Sequence, residues 1–452
     1  MNKLVLHFSV LLAGAVLAGA ACAAPGQRFN CPDIDAGKIE GNYFKNHIFQ
    51  GVDGWFFREG SDIQDFYAYG PDTLSFIGRF ADALKKRDVQ LVFMPVPAKG
   101  ILDPEYAGPA IDAGMFDQQM ASAEIENLLT ALKGVGVLPV DVITANAASN
   151  HPAFFFARDL HWRPQGAQIG AAAVRKALET DPVYGELSKK TYQTSVVAKD
   201  QPMRSAVLQA LQRMCVDTLP QERTDLYETA AGEATADDLL GGDEATPVAL
   251  VGTSFSDLET FNFAGFLSQA LELEVANFAV SGGGSFTSVL GYTMSNSLEE
   301  MAPKFLVWEN PAYNRLDADG IGYFRQIIPA VHGYCDGAAK LSEAKLALGA
   351  GATKDFPVAK GATDITGHDY YLAIRASDPN VKHMTIDVDY ADGDGETFVI
   401  NRSDRQKPSE RFFLEFSDDI PAAVTRVAIA AAPDRPVDLD VQLCHAPQGG
   451  KT

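Results

Sequence analysis

Only five cysteines, eight histidines and three tryptophans occur among the 452 residues, and basic residues are scarce beside acidic ones. Thirty-seven Lys and Arg face 59 Asp and Glu, a net charge of −22. So acidic a chain is a poor general binder of nucleic acid, whose affinity comes largely from neutralising phosphates. Beyond the N-terminus no segment approaches the ~20 apolar residues that cross a bilayer. Neither an internal repeat nor a low-complexity block occurs. What is present is apolar material, 46% of the residues. That is enough for sizeable cores, and the length suggests two or three domains.

The N-terminus has the pattern of a secretory signal over residues 1–23. Lys3 is the basic start, 4–17 is apolar, and Ala21-Cys22-Ala23 offers a small-x-small cleavage site. An uncleaved anchor and a lipoprotein site at Cys22 are the competing readings. Cleavage would place the mature chain in the periplasm with four cysteines: Cys31, Cys215, Cys335 and Cys444. An even number in an oxidising compartment favours two disulfides, and the absence of CxxC spacing disfavours zinc. Spacing leaves three pairings open. If each of two domains closes its own bridge, they are Cys31–Cys215 and Cys335–Cys444.

Helical periodicity over 72–87 leads into the apolar run 89–94, and helix 121–133 leads into 135–143. Pro164 opens a helix to 178, since Pro is favoured in a first turn. Strand candidates follow at 247–251, 275–280 and 305–308, with one helix running from the Gly252-Thr253-Ser254 turn to 271. This alternation predicts an α/β domain over 24–325, an open, mostly parallel sheet with helices on both faces. Residues 185–246 break the rhythm as an insertion that ends in the acidic stretch 228–244. After about residue 325 the pattern changes. Six short strands (370–375, 383–388, 397–401, 411–416, 424–430 and 437–443) predict a β-sandwich within 326–452.

With so few histidines, a His-dependent mechanism has few choices. His161 lies in Arg158-Asp159-Leu160-His161-Trp162, where residues two apart share a face of extended chain. Asp159 could therefore hold the imidazole tautomer. A surface Asp beside a capping His is the plain alternative. Ser254 follows the 247–251 strand at the mouth of a helix, the usual ligand position at the carboxyl edge of an open sheet. There it is either an ordinary N-cap or a nucleophile beside helix N–H groups. Gly282-Gly283-Gly284 and Trp308-Glu309-Asn310-Pro311-Ala312-Tyr313 also follow strands, so that Gly283 and the Asn310 amide reach the same edge. Four features at one edge carry more weight than any one alone.

These residues together resemble an SGNH/GDSL-type hydrolase core. In that family Asp and His usually follow the Ser; here Asp159 and His161 precede Ser254. That permuted order is similar to the exopolysaccharide (alginate) O-acetyltransferase group. The stretches Gly51-Val52-Asp53-Gly54-Trp55-Phe56-Phe57 and Pro95-Val96-Pro97-Ala98-Lys99-Gly100 match it too, as do Asp159-Leu160-His161-Trp162 and Trp308-Glu309-Asn310-Pro311. The resemblance implies Ser254 as nucleophile, His161 as general base and Asp159 as the residue that orients it. It also implies oxyanion donors from Asn310, Gly283 and the Ser254 N–H, and Tyr313 as a substrate contact. The implied reaction moves acetyl onto O2 or O3 of mannuronate in alginate, with neither metal nor soluble cofactor. The donor would come from membrane or periplasmic acetylation proteins, alongside the alginate export complex. The C-terminal domain would be a carbohydrate-binding module.

An acidic polymer needs a locally basic surface on this acidic chain. Arg402, Arg405, Lys407 and Arg411 form the densest positive cluster of the C-terminal domain, with Lys354, Lys360 and Lys382 as further candidates. The plain reading is a solvated loop. The triad itself leaves open an exported polysaccharide acetylesterase, where water replaces the sugar. A non-catalytic polymer-binding scaffold is the alternative outside enzymology.

Overall fold

The computed structural model describes residues 26, 28–38, 47–150, 153–232, 246–317, 320–358, 365–432 and 434–447. The signal segment, Lys360 and most of the acidic stretch lie outside them. Five parallel strands form the N-terminal sheet, in the order Leu138–Pro139, Gln90–Val96, Phe305–Pro311, Val248–Val251, Val275–Asn277. The central strand Phe305–Pro311 is buried along its whole length, as a parallel strand covered on both faces must be. Pro71–Lys85 packs with Ile321–His332, and Pro164–Leu178 packs with Phe263–Leu271. The expected open α/β sheet is therefore the fold. Pro164–Leu178 has the bounds its Pro start and apolar face suggested.

Two expectations are corrected. Of 135–143, only Leu138–Pro139 is strand, because Asp141 caps a new helix, Val142–Ala147, by accepting from the Thr144 N–H. The helix expected from 254 to 271 is broken into Ser254–Asp257, a 3₁₀ turn Glu259–Phe261, and Phe263–Leu271. The insertion is an antiparallel pair, Tyr192–Pro202 with Arg223–Ala231, spanned by the helix Ala206–Arg213. A disulfide joins Cys31 to Cys215 just beyond that helix, and another joins Cys335 to Cys444.

Among the described residues the C-terminal sandwich has eight strands. One sheet runs Lys340–Leu348, Val437–His445, Tyr370–Ala376, Arg411–Glu415, and the other Thr353–Phe356, Val424–Ala431, His383–Tyr390, Gly395–Asn401. The first strand of each sheet was not foreseen. The expected break at 325/326 falls inside the helix Ile321–His332, which packs on Arg411–Glu415 of the sandwich as well as on Pro71–Lys85. Charged pairs line the seam between the two parts. Arg79 meets Glu415 at 2.7 Å, Arg411 meets Glu299 at 2.8 Å, and Arg325 grips both Glu396 oxygens at 2.8 and 2.9 Å. Among the described residues no helix is long and apolar enough to cross a membrane.

Candidate active site

The strand Val248–Val251 ends in Gly252, Thr253 and Ser254. A side chain at Gly252 would come within 2.5 Å of Glu309 Oε2, so the turn has room only for glycine. Thr253 caps the short helix by accepting from the Phe255 N–H, which leaves Ser254 at its first position. There its N–H has no intrahelical acceptor.

Ser254 Oγ lies 2.7 Å from His161 Nε2, and His161 Nδ1 lies 2.6 Å from Asp159 Oδ1. The His161 backbone N–H also donates to Asp159 Oδ1, at 2.9 Å. An ionised Asp159 accepts a hydrogen bond from Nδ1–H, so the proton stays on Nδ1 and Nε2 is left to accept from the serine hydroxyl. Phe255 and Phe261 hold the imidazole, with ring centroids at 5.0 and 5.1 Å. Burial pushes the Asp159 carboxyl up, but the neighbouring His161 charge and hydrogen bonds from His161 and Ser205 win and hold it below its usual range. Ser205 Oγ donates to Asp159 Oδ2. Ser205 caps Ala206–Arg213, so the insertion supplies part of the site.

Sequence reasoning assigned no role to Glu309. It is fully buried and accepts from the Thr253 N–H at 2.8 Å, from Thr253 Oγ1 at 3.1 Å and from Ser256 Oγ at 2.9 Å. It thus braces the turn on both sides of Ser254, and burial raises its pKa to about 7. The readable signal was a lone carboxylate in the otherwise apolar run Phe305-Leu306-Val307-Trp308.

The other candidates separate. Asn310 lies at the same sheet edge, but its Nδ2 donates to the carbonyls of Pro311 (3.1 Å) and Asn314 (2.8 Å). Gly283 sits between Gly282 and Gly284, both at positive φ, and its carbonyl accepts from Thr287 Oγ1. Tyr313 lies under the Arg58 guanidinium at 5.2 Å, and Arg58 is paired to buried Asp62. Burial pushes the Tyr313 phenol up to about 12, so it stays protonated.

The basic cluster divides as well. Arg402 stacks on Phe412 and donates to the carbonyls of Ser409 and Arg411, while Arg411 is buried against Glu299, Ser295 and Asn296. Both guanidiniums are used internally, so the expected four-residue polymer-binding strip reduces to Arg405 and Lys407. These two are exposed. Lys382 pairs with Asp404, and Lys354 is exposed on its strand. Arg405 reaches across the seam and donates to Ser281 O at 3.1 Å. The Ser281 N–H in turn donates to Asp257, at the end of the helix that Ser254 begins.

A Ser–His–Asp hydrogen-bond chain at the carboxyl edge of an open parallel sheet, with a glycine turn beside it, defines an SGNH hydrolase-like protein. The chain belongs to the ALGX family, described as SGNH hydrolase-like domain, acetyltransferase AlgX, which it matches over residues 48–312. Residues 334–452 match a C-terminal carbohydrate-binding module. The alginate biosynthesis protein AlgX of Pseudomonas aeruginosa is 28% identical, over 97% of this chain and 96% of its own length. The solved structure of Pseudomonas aeruginosa AlgX superposes with a TM-score of 0.77 at 26% identity, covering 90% of this chain and 96% of that one. A probable alginate O-acetylase AlgJ from Pseudomonas syringae pv. tomato is 33% identical, over 53% of this chain and 61% of its own.

Proposed function

We propose that this protein is a periplasmic O-acetyltransferase that acetylates mannuronate residues of alginate at O2 or O3 through an acetyl-Ser254 intermediate. The hydrogen-bonded chain Asp159–His161–Ser254 carries this reading. Ser254 Oγ attacks the donor's acetyl carbonyl while His161 Nε2 takes its proton, and the imidazolium returns that proton to the departing donor group. A sugar hydroxyl then attacks the acetyl-serine carbonyl, losing its proton to His161, and Ser254 leaves with that proton restored. The Ser254 and Gly283 N–H groups stabilise the oxyanion in each step. Asn310 joins them only on releasing one of its carbonyl partners. The acetyl donor is passed on by membrane or periplasmic acetylation proteins, and the polymer arrives from the alginate export complex. The similarity to AlgX and the match to a carbohydrate-binding module support this substrate.

The test is acetyl transfer from a small activated ester to mannuronate oligomers, followed by mass spectrometry with wild type and Ser254→Ala. Wild type should add acetyl groups and Ser254→Ala none. Acetate release with no acetylated sugar would instead make the protein an esterase.

Arg405 and Lys407 are the polymer contacts in this proposal. Arg405→Ala should raise KM for mannuronate oligomers about 5-fold at low salt, the scale of one charge-assisted contact. Hydrolysis of the small neutral ester should change less than acetyl transfer, because Arg405 touches the Ser281 turn only through one carbonyl. An unchanged KM at low ionic strength removes Arg405 from the acceptor site.

A further inference from the structure

Lys99 is 1% exposed, and a buried ammonium is costly unless its charge and hydrogen bonds are met. Here Nζ donates to three main-chain carbonyls: Phe56 at 3.0 Å, Ala157 at 2.9 Å and Asp159 at 3.2 Å. That uses all three ammonium hydrogens. The charge also faces the rings of Trp55 and Phe57, with centroids at 4.9 and 5.3 Å. The acceptors come from two segments far apart in sequence, and one of them is the carbonyl of the residue that orients His161.

The loop from Phe154 to Arg163 is anchored at its start by the Phe154 and Phe155 N–H groups on Asp103 (2.7 and 2.8 Å) and at its middle by Arg158, whose N–H donates to Glu222 at 2.8 Å. Its ladder is a single bridge, Phe155 with Trp162, flanked by Phe156 N–H to His161 O and Arg163 N–H to Phe154 O. Between those ties the main chain must turn so that Asp159 and His161 point towards Ser254. Phe56 N–H donates to Ala157 O at 3.0 Å, so Lys99 Nζ and this N–H share one carbonyl at the start of the turn. A methionine or leucine would fill the space at lower desolvation cost but would take the Lys99 donor from the buried Phe56 and Asp159 carbonyls and leave Ala157 O with the Phe56 N–H alone.

We propose that Lys99 is a positioning residue for the Asp159–His161 pair, its ammonium fixing the main chain of the turn so that His161 stays in line with Ser254. The proposal rests on the triad reading above and assigns Lys99 no contact with substrate. Burial brings its pKa down to about 8, so the cation persists at neutral pH.

The experiment compares mature wild type, Lys99→Met, Lys99→Gln and Ser254→Ala in hydrolysis of a small activated acetyl ester. The far-downfield NMR proton of the His161 Nδ1–H···Asp159 bond is recorded for each. In folded Lys99→Met, kcat should fall about 10²-fold, the scale of a displacement near 1 Å, with KM within about 2-fold, and the downfield proton should shift or vanish. Lys99→Gln retains two N–H donors on a shorter stem and should fall between the two; it provides the decisive comparison if Lys99→Met does not fold. A folded variant with wild-type kcat, or with reduced kcat and an unmoved downfield proton, overturns the role. Activity surviving in Ser254→Ala would bring down the triad reading itself, whereas activity lost there but kept in Lys99→Met would bring down the Lys99 role alone.

Discussion

Replacing His161 with alanine should lower kcat for acetyl transfer by about 10⁴-fold or more, with little change in the affinity for polymer. His161 Nε2 is the group placed to take the Ser254 proton, at 2.7 Å, and alanine leaves that hydroxyl with no base. Asp159→Asn should fall nearly as far by a different route. An amide could keep one oxygen facing the His161 backbone N–H and Nδ1, but it carries no charge to stabilise the imidazolium. Its NH2 in place of Oδ2 cannot accept from Ser205, which favours a flip that spoils the tautomer leaving Nε2 free. Because Asp159 is held below the usual carboxylate range, it keeps its charge at neutral and mildly acidic pH. Steady-state kinetics with a chromogenic acetyl ester and with mannuronate oligomers measure both variants. A His161→Ala enzyme within tenfold of wild type would require another base.

Glu309→Ala should have the largest effect on stability. It removes the acceptor of one backbone N–H and two hydroxyls, all buried, and opens a cavity beneath the Ser254 turn. Such a loss costs roughly 3–5 kcal/mol and lowers Tm by roughly 10 °C. Glu309→Gln keeps the shape and separates charge from packing. With its pKa raised to about 7, Glu309 binds a proton in the folded chain that it has released in the unfolded chain between its ordinary value of 4.5 and about 7. Its contribution is therefore fully present below 4.5 and is lost as pH rises through 7. Thermal melts should give a shallower decline of Tm between pH 5 and 7.5 for Glu309→Gln than for wild type. Equal slopes would show that Glu309 does not titrate in that window.

The sheet was legible in the sequence because buried parallel strands are written as apolar runs closed by Gly or Pro, as at Val248–Val251 before Gly252. The Asp159–His161–Ser254 constellation was legible because two local signals share one sheet edge. What escaped reading depends on tertiary surroundings. Lys340–Leu348 reads Lys-Leu-Ser-Glu-Ala-Lys-Leu-Ala-Leu, a sequence of good helix formers, yet it forms a strand because it pairs along Val437–His445. Arg402 and Arg411 look like surface charges beside Arg405 and Lys407, and only the packing of Phe412 and Glu299 against them takes them out of solvent. Glu309 and Lys99 were visible as lone charges in apolar stretches. Their partners, however, are main-chain groups from distant segments, which no local pattern reveals. Ser205 lies in an insertion whose contribution depends on the folded position of Ala206–Arg213.

The charged seam has a consequence for the product. Arg79–Glu415, Arg325–Glu396 and Arg411–Glu299, with the helix Ile321–His332 packed on both parts, oppose swinging of the sandwich relative to the Ser254 edge. On the proposed function, a chain of sugars gripped by one part would present its hydroxyls to the other at a fixed stand-off. The enzyme would then act as a jig, and the stand-off across the seam would select which sugar, counted from the gripped one, meets Ser254.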